Sequence, residues 1–454
     1  MRTLLTLLLP LLLCTCAPSP TGRVISRVPV TYDFNNAKLQ SGPMLGYNEQ
    51  REVAIWVQTD APGRVHIEYT DGTERYTTDT VSTERRTAHA ATLIADAVRP
   101  GRRYTYEVYV NGRRVKLSYP TEFTAQPGWR NGNAPPDFTL AIGSCNYISE
   151  EAVGQTGYER SYPVFSAIDA KRPDLMVWLG DNLYLRDADW YTRTGYQYRY
   201  TRTRSVPELQ PLLARTHHYA IWDDHDYGPN DSDRSWVNRE LATETFNLFW
   251  ANPTGGLRTS EHRYGAKGIT TMFRYHDVDF FLLDNRSFRT PNKQSRRENV
   301  TLLGEPQLEW LIESLIYSSA PWKMVCIGGQ VLNTAEVFEN YINLAPNELR
   351  YLLARINEEN IEGVVFLTGD RHHGELSETR LPNGNMVYDV TVSPLTAGLG
   401  NPENEVNKNR VEGTLTTVNN FSLLRFSGPL DNRRLEVEML DATGQRLWAR
   451  TLVR

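Results

Sequence analysis

From position 23 to about 124, apolar and polar residues alternate in short runs, at 53–57, 64–69 and 104–110, with the two-residue period of half-buried strands. Asp71-Gly72 and Asn111-Gly112 stand between such runs as hairpin turns. This texture predicts a small antiparallel β-sandwich, immunoglobulin-like or fibronectin-like, over 23–126. Gln126-Pro127-Gly128 and the Asn131–Pro136 stretch, rich in Gly, Asn and Pro, mark a boundary. Beyond it the period changes. Continuous apolar runs at 138–142, 174–179, 324–327 and 364–367 read as buried strands, while Val164, Phe165 and Ile168, then Leu308, Leu311, Ile312 and Leu315, then Leu349, Leu352, Leu353 and Ile356 recur at helical spacing. Residues 127–454 are therefore expected to form a layered α/β domain, its sheet completed by the alternating runs at 421–426 and 435–439.

The first 22 residues follow neither pattern. Arg2 precedes an apolar stretch from Leu4 to Leu13, which reads as a secretory signal. Cys14 and Cys16 follow it in a lipobox-like setting, so the expectation is an exported protein tethered through a lipidated Cys16, in the periplasm or at the cell surface; ordinary cleavage near Ala17 is the alternative. The stretch is shorter than the roughly 18 to 20 residues a membrane-spanning helix needs. Only Cys145 and Cys326 remain beyond it, too few for a disulfide framework. A net charge of −5 over 454 residues gives no bulk attraction for nucleic acid, and no nucleic-acid partner is expected except as substrate.

Ligands of open α/β sheets bind beyond the carboxyl ends of the strands. Five such ends carry metal-ligand residue types: Gly143-Ser144-Cys145-Asn146, Gly180-Asp181-Asn182-Leu183-Tyr184, Trp222-Asp223-Asp224-His225-Asp226 with Asn230 after it, Asp284-Asn285-Arg286, and Gly369-Asp370-Arg371-His372-His373. Each alone has a structural explanation, such as a turn or a helix cap. Their convergence predicts a metal site. Thiolate, phenolate and imidazole suit a transition ion, and carboxylate and amide oxygens suit calcium, magnesium or manganese. Two unlike ions sharing Asp181 fit this mixture, with the Tyr184 phenolate favouring ferric iron and zinc as the alternative.

These motifs, together with the 303–311 and 282–289 segments and Ser41-Gly42-Pro43, resemble the PhoD-like alkaline phosphatases, a family of calcineurin-like metallophosphoesterases related to purple acid phosphatases. The resemblance implies an αββα metallophosphoesterase domain behind the β-sandwich. It also implies iron held by Cys145, Asp181, Tyr184 and His372, beside calcium held by Asp181, Asp224 or Asn230, and Asp370. Asn182, Asp226 and Gly228-Pro229 depart from the usual pattern. The expected reaction is hydrolysis of a phosphate ester by a metal-bound hydroxide, without a phosphoenzyme. His225 is the expected proton donor, and Arg286 and Arg371 are expected to clamp phosphate oxygens. Two alternatives stand beside a monoesterase: a phosphodiesterase acting on lipid, polymer or nucleotide diesters, and a non-catalytic surface-binding lipoprotein. The Tyr- and Arg-rich stretch from Trp190 to Arg204 is expected to be scaffold and pocket rim rather than a polyanion platform.

Overall fold

A strand with no exposed face can fold only where both faces are covered, and Leu175–Leu179, His217–Ile221, Trp322–Cys326 and Val364–Thr368 are strands buried at every position. The computed structural model of the chain describes residues 36–130, 134–150, 161–257, 268–293, 300–337 and 339–454. The signal-like segment with Cys14 and Cys16 lies outside them. Among the described residues no helix is long and apolar enough to cross a membrane.

A nine-stranded sheet has four parallel strands at its centre, in the order Phe138–Gly143, Leu175–Leu179, His217–Ile221 and Leu39–Asn48. The C-terminal strands Asn420–Ser427, Arg434–Asp441 and Arg446–Leu452 extend it antiparallel from one side, and Val53–Thr59 and Ala90–Ala95 from the other. A second sheet runs in the order Thr271–Tyr275, Val278–Leu282, Trp322–Cys326, Val364–Thr368, Met386–Thr391 and Glu375–Arg380. Alternate residues of its strands point to opposite layers. Phe280, Leu282, Met324, Cys326, Val365 and Leu367 pack in the core shared with the first sheet. Phe281, Val325, Val364 and Phe366 pack under the helices Glu305–Tyr317 and Pro346–Glu358. Helices Pro163–Ala170, Gln210–Arg215 and Arg239–Phe249 contribute Phe165, Leu212 and Phe246 to the first core, giving the expected α/β/β/α layering.

The N-terminal strands do form a sandwich. Leu45, Ile55 and Val57 face Val65, Ile67, Tyr104 and Val108 of a separate antiparallel sheet across a core of their own. One of its two sheets, however, is the end of the nine-stranded sheet. Leu39–Asn48 pairs in parallel with His217–Ile221 at Leu45↔His217 and antiparallel with Val53–Thr59, so hydrogen bonding continues across the expected boundary at 126/127. Met44 and Trp56 turn to the opposite face and join the first core. A strand apolar on both sides can belong to two cores at once, which a two-residue period does not announce.

Candidate metal centre

Four turns that follow parallel strands, at 143–146, 180–184, 222–226 and 369–373, meet at the carboxyl edge of the two sheets. Gly180 and Gly369 let them approach. A Cβ on Gly180, at φ +93°, would lie 2.8 Å from the Asp223 Cβ, and one on Gly369 would lie 2.5 Å from the Ser144 Oγ. The ligand-type residues themselves occupy left-handed backbone: Cys145 (φ 56°), Asp181 (48°), Asp370 (67°) and His372 (54°). Such conformations cost about 1–3 kcal/mol each in non-glycine residues and cluster where a site over-determines them.

The side chains of Cys145, Asp181, Asp224, His225 and His372 come together. Ligand atoms of Cys145, Asp181 and His372 lie within 4.8 Å of one another, and so do those of Asp181, Asp224 and His225. Asp181 is common to both groups. Its Oδ2 faces the Cys145 sulfur at 3.7 Å, and its Oδ1 accepts the His225 backbone N–H at 3.3 Å. One carboxylate thus belongs to both groups of ligand-type atoms. The Tyr184 hydroxyl lies 3.2 Å from His372 Nε2, and its ring packs 4.3 Å from that of His225. Asp370 is half-buried on the same turn as His372, and no hydrogen-bond donor among the described residues engages its carboxylate.

The electrostatics are those of anions assembled with too little positive charge. Burial first, then Asp224 and Cys145, pushes the Asp181 carboxyl well above its usual range. Burial, Glu339 and Asp223 do the same to Asp370, and burial with Cys145 and Asp181 raises Tyr184. Asp224 is the exception: burial opposes its charge, but Arg286 and His225 hold it below the usual range. Thiolate, phenolate, carboxylates and imidazole gathered out of water fit metal ions, which remove the repulsion by taking the place of protons.

The pH dependence of the metal-free fold follows. Asp181, Asp370 and Asp226 have carboxyls raised in the folded state, and burial raises Glu339 to about 7. Between their unfolded and folded values the folded state holds protons the unfolded chain has released, so stability falls as pH rises through that window. The buried His217 and His218, lowered by desolvation to about 4 and about 3, act in the opposite direction, but only below the ordinary histidine value of 6.5. Chelator-treated protein is therefore expected to melt at progressively lower temperature from about pH 6.5 to 8, and metal-loaded protein to lose less, as thermal melts at matched ionic strength would read.

Other sequence-predicted residues are placed differently. Arg286 is 1% exposed and its guanidinium is paired with Asp223, 3.8 Å from Asp224. The guanidinium expected to clamp phosphate is thus engaged in an internal ion pair beside the candidate ligands. Arg371 donates to Glu405 at 2.6 Å, so the second clamp is also engaged. Asn230 is exposed and makes no hydrogen bond among the described residues; its neighbour Asp231 instead donates its N–H to Asp224 Oδ2 at 2.7 Å and groups with Asp224 and Glu339. Asp284 is structural: it accepts from the Trp222 indole at 2.8 Å and from the N–H groups of Arg286 and Ser287 at 2.9 Å.

The helix Arg193–Arg204 is scaffold. Arg199 is buried against Asp189 and Glu150, Arg193 pairs with Glu244, and Tyr196 donates to the Tyr227 carbonyl. Asp223 and Ser393 were not among the predicted ligands or catalytic groups. Asp223 ties Arg286 to Asn285, and Ser393 lies just past the strand Met386–Thr391, a strand end of the same kind as the others.

Comparison with known proteins agrees with this geometry. The profile of the PhoD-like phosphatases matches residues 140–428, and that of a domain of unknown function, DUF7800, matches residues 36–127. Alkaline phosphatase D of Bacillus subtilis (strain 168) is 24% identical over 329 residues, or 63% of this chain and 53% of that protein, so the match spans about half the relative's length. A solved structure of PhoD superposes with a TM-score of 0.72 at 17% identity, covering 90% of this chain and 88% of that one. Purple acid phosphatase PPD1 from yellow lupin (Lupinus luteus) seeds gives 0.65 at 14% identity, covering 90% and 73%. At these identities the structural likeness is one of fold. The family profile, which spans more than half of the chain and every turn that carries a ligand-type residue, is decisive: the chain belongs to the PhoD-like phosphatase family.

Proposed function

We propose that the protein is an exported, metal-dependent phosphoesterase that hydrolyses phosphate esters without a covalent phosphoenzyme. The observation that carries this reading is the sharing of Asp181 between two ligand groups, one with Cys145 and His372 and one with Asp224 and His225. A soft and an oxygen-rich half side by side favour unlike ions, ferric iron next to Tyr184 and Cys145 and calcium next to Asp224 and Asp370, with zinc or manganese as alternatives. Such a pair would supply an acidified water and neutralise charge on the transferring phosphoryl group.

The chain's own residues position the rest. Asp181 holds the backbone N–H of His225, so the histidine is fixed to the bridging carboxylate. Burial lowers the His225 imidazole, and Asp224 and Asp223 act against it by favouring the imidazolium that would protonate a leaving-group oxygen. The export reading rests on the signal-like N-terminus and Cys16.

The test is turnover of chromogenic mono- and diesters with metal analysis, before and after a chelator. Activity that survives complete removal of metal would sink the proposal. His225→Ala is expected to lower kcat by roughly 10²- to 10⁴-fold for esters with poorly acidic leaving groups. The loss should shrink for a nitrophenyl ester, whose leaving group needs no proton; an equal loss on both would make His225 a ligand or scaffold instead.

A further inference from the structure

The two serines nearest the Cys145 sulfur look alike by distance but not by hydrogen-bond accounting. Ser144 Oγ lies 3.5 Å from the sulfur, yet its one proton is already given to the Val392 carbonyl at 2.8 Å. Ser393 Oγ lies 3.1 Å from the sulfur and accepts the His372 backbone N–H at 2.9 Å. A backbone N–H can only donate, so this hydroxyl is fixed as an acceptor there and its own proton is free for the sulfur. Ser393 is fully buried, as is Cys145, so no water competes for either contact. One hydroxyl thus ties two ligand-type residues together, donating to the cysteine and holding the backbone of the histidine.

We propose that Ser393 is a positioning and tuning residue of the metal centre, whose hydroxyl hydrogen-bonds the Cys145 thiolate and fixes the turn that presents His372. The inference rests on the metal reading above. A hydrogen bond to a ligating thiolate withdraws electron density from sulfur, which weakens its donation to the metal and raises the energy of sulfur-to-metal charge transfer. The surrounding backbone supports the same turn: Gly400 donates its N–H to the His372 carbonyl at 2.8 Å, and Ala397 donates to the Cys145 carbonyl at 3.1 Å. These bonds do not touch the sulfur. Ser393 links its side chain to the sulfur of one residue and to the backbone of the other.

The probe is cobalt(II), added to metal-stripped full-length protein. Wild type is expected to develop a thiolate-to-cobalt charge-transfer band that disappears in Cys145→Ser; absence of any such band would refute the cysteine ligand, and with it the reading on which this inference rests. In Ser393→Ala the band is expected to move to longer wavelength as sulfur donation strengthens, while cobalt affinity falls roughly 10- to 100-fold because the His372 turn loses its anchor, the usual cost of losing a residue that supports a ligand. Ser144→Ala should leave the band where it is. A band present and unshifted in Ser393→Ala, or shifted equally in both variants, overturns the proposal while leaving the metal site intact. If the alanine variant does not fold, resonance Raman of cobalt-loaded wild type decides: exchange into D₂O should shift the cobalt–sulfur stretch, in Ser144→Ala as in wild type, and no shift would overturn it.

Discussion

Asp181→Asn is expected to abolish turnover while making the metal-free protein more stable. The carboxylate is the one group shared by both ligand clusters, with Oδ2 towards Cys145 and Oδ1 towards His225. An amide of the same shape offers one oxygen and no negative charge, so it cannot serve both sides. Charge stabilisation by a metal pair is worth several kcal/mol, and at 1.36 kcal/mol per decade its loss lowers kcat by about 10³-fold or more. The stability gain has the opposite origin. Without metal, the Asp181 carboxyl is buried beside Asp224 and Cys145, which drives it well above its usual range. Replacing it with a neutral amide removes a group that must be neutralised for the site to stay folded. Function held at the expense of stability is expected where ligands are assembled ahead of the ion. Three measurements check this: kcat on a chromogenic ester, metal content per chain, and the melting temperature of chelator-treated protein. Turnover within tenfold of wild type would show that Asp181 does not bridge.

The core and the set of ligand-type residues are legible in the sequence for the same reason: both are local. Leu175–Leu179 is apolar without interruption because both of its faces are covered, and the residues that follow it, Gly180 and Asp181, stand at the carboxyl end of a parallel strand. Cys145, Tyr184, Asp224 and His372 were found by that rule and meet in space. What the rule does not give is how much of each charge is already used. Arg286 and Arg371 look alike as forked donors at strand ends, but their partners Asp223 and Glu405 come from other turns, and such pairings are tertiary facts. Asn230 is set apart for a related reason: after Gly228-Pro229 the backbone turns Asp231, at φ 62°, back toward Asp224 and leaves Asn230 exposed. Ser393 was within reach of the strand-end rule, since it follows Met386–Thr391, but a lone serine before a proline carries no ligand signature. The joining of Leu39–Asn48 to His217–Ile221 is also non-local, because nothing in either run records its partner.

Arg286→Met is expected to cost about 3–5 kcal/mol of stability, the usual penalty for breaking a buried ion pair. The guanidinium is 1% exposed, and burial opposes its charge, yet Asp223 and Asp224 hold its protonation well above the ordinary arginine range. Asp223 is equally enclosed. Burial raises its carboxyl and Arg286 pulls it back, while Asn285 Nδ2 donates to the same Oδ1 at 2.8 Å. Space around the pair is tight: a Cβ on Gly328 would sit 2.6 Å from Asp223 Oδ2, so the carboxylate cannot swing away to find water. Removing the arginine takes from buried Asp223 its paired counter-ion, leaving only the weaker influence of Arg289, and removes the foremost of the cations that hold Asp224 ionised beside Asp181. Removing both charges should be milder. The Asp223→Asn, Arg286→Met double variant is expected to be less destabilised than the sum of the single variants, with a coupling of about 0.5–3 kcal/mol in denaturant unfolding of metal-free protein. The two roles an arginine could play here separate cleanly in that experiment. A phosphate clamp would raise KM at unchanged stability, whereas an internal counter-ion lowers stability and, in the loaded enzyme, kcat through Asp224. An Arg286→Met protein that keeps its unfolding free energy and loses only affinity for the ester would return this arginine to the substrate.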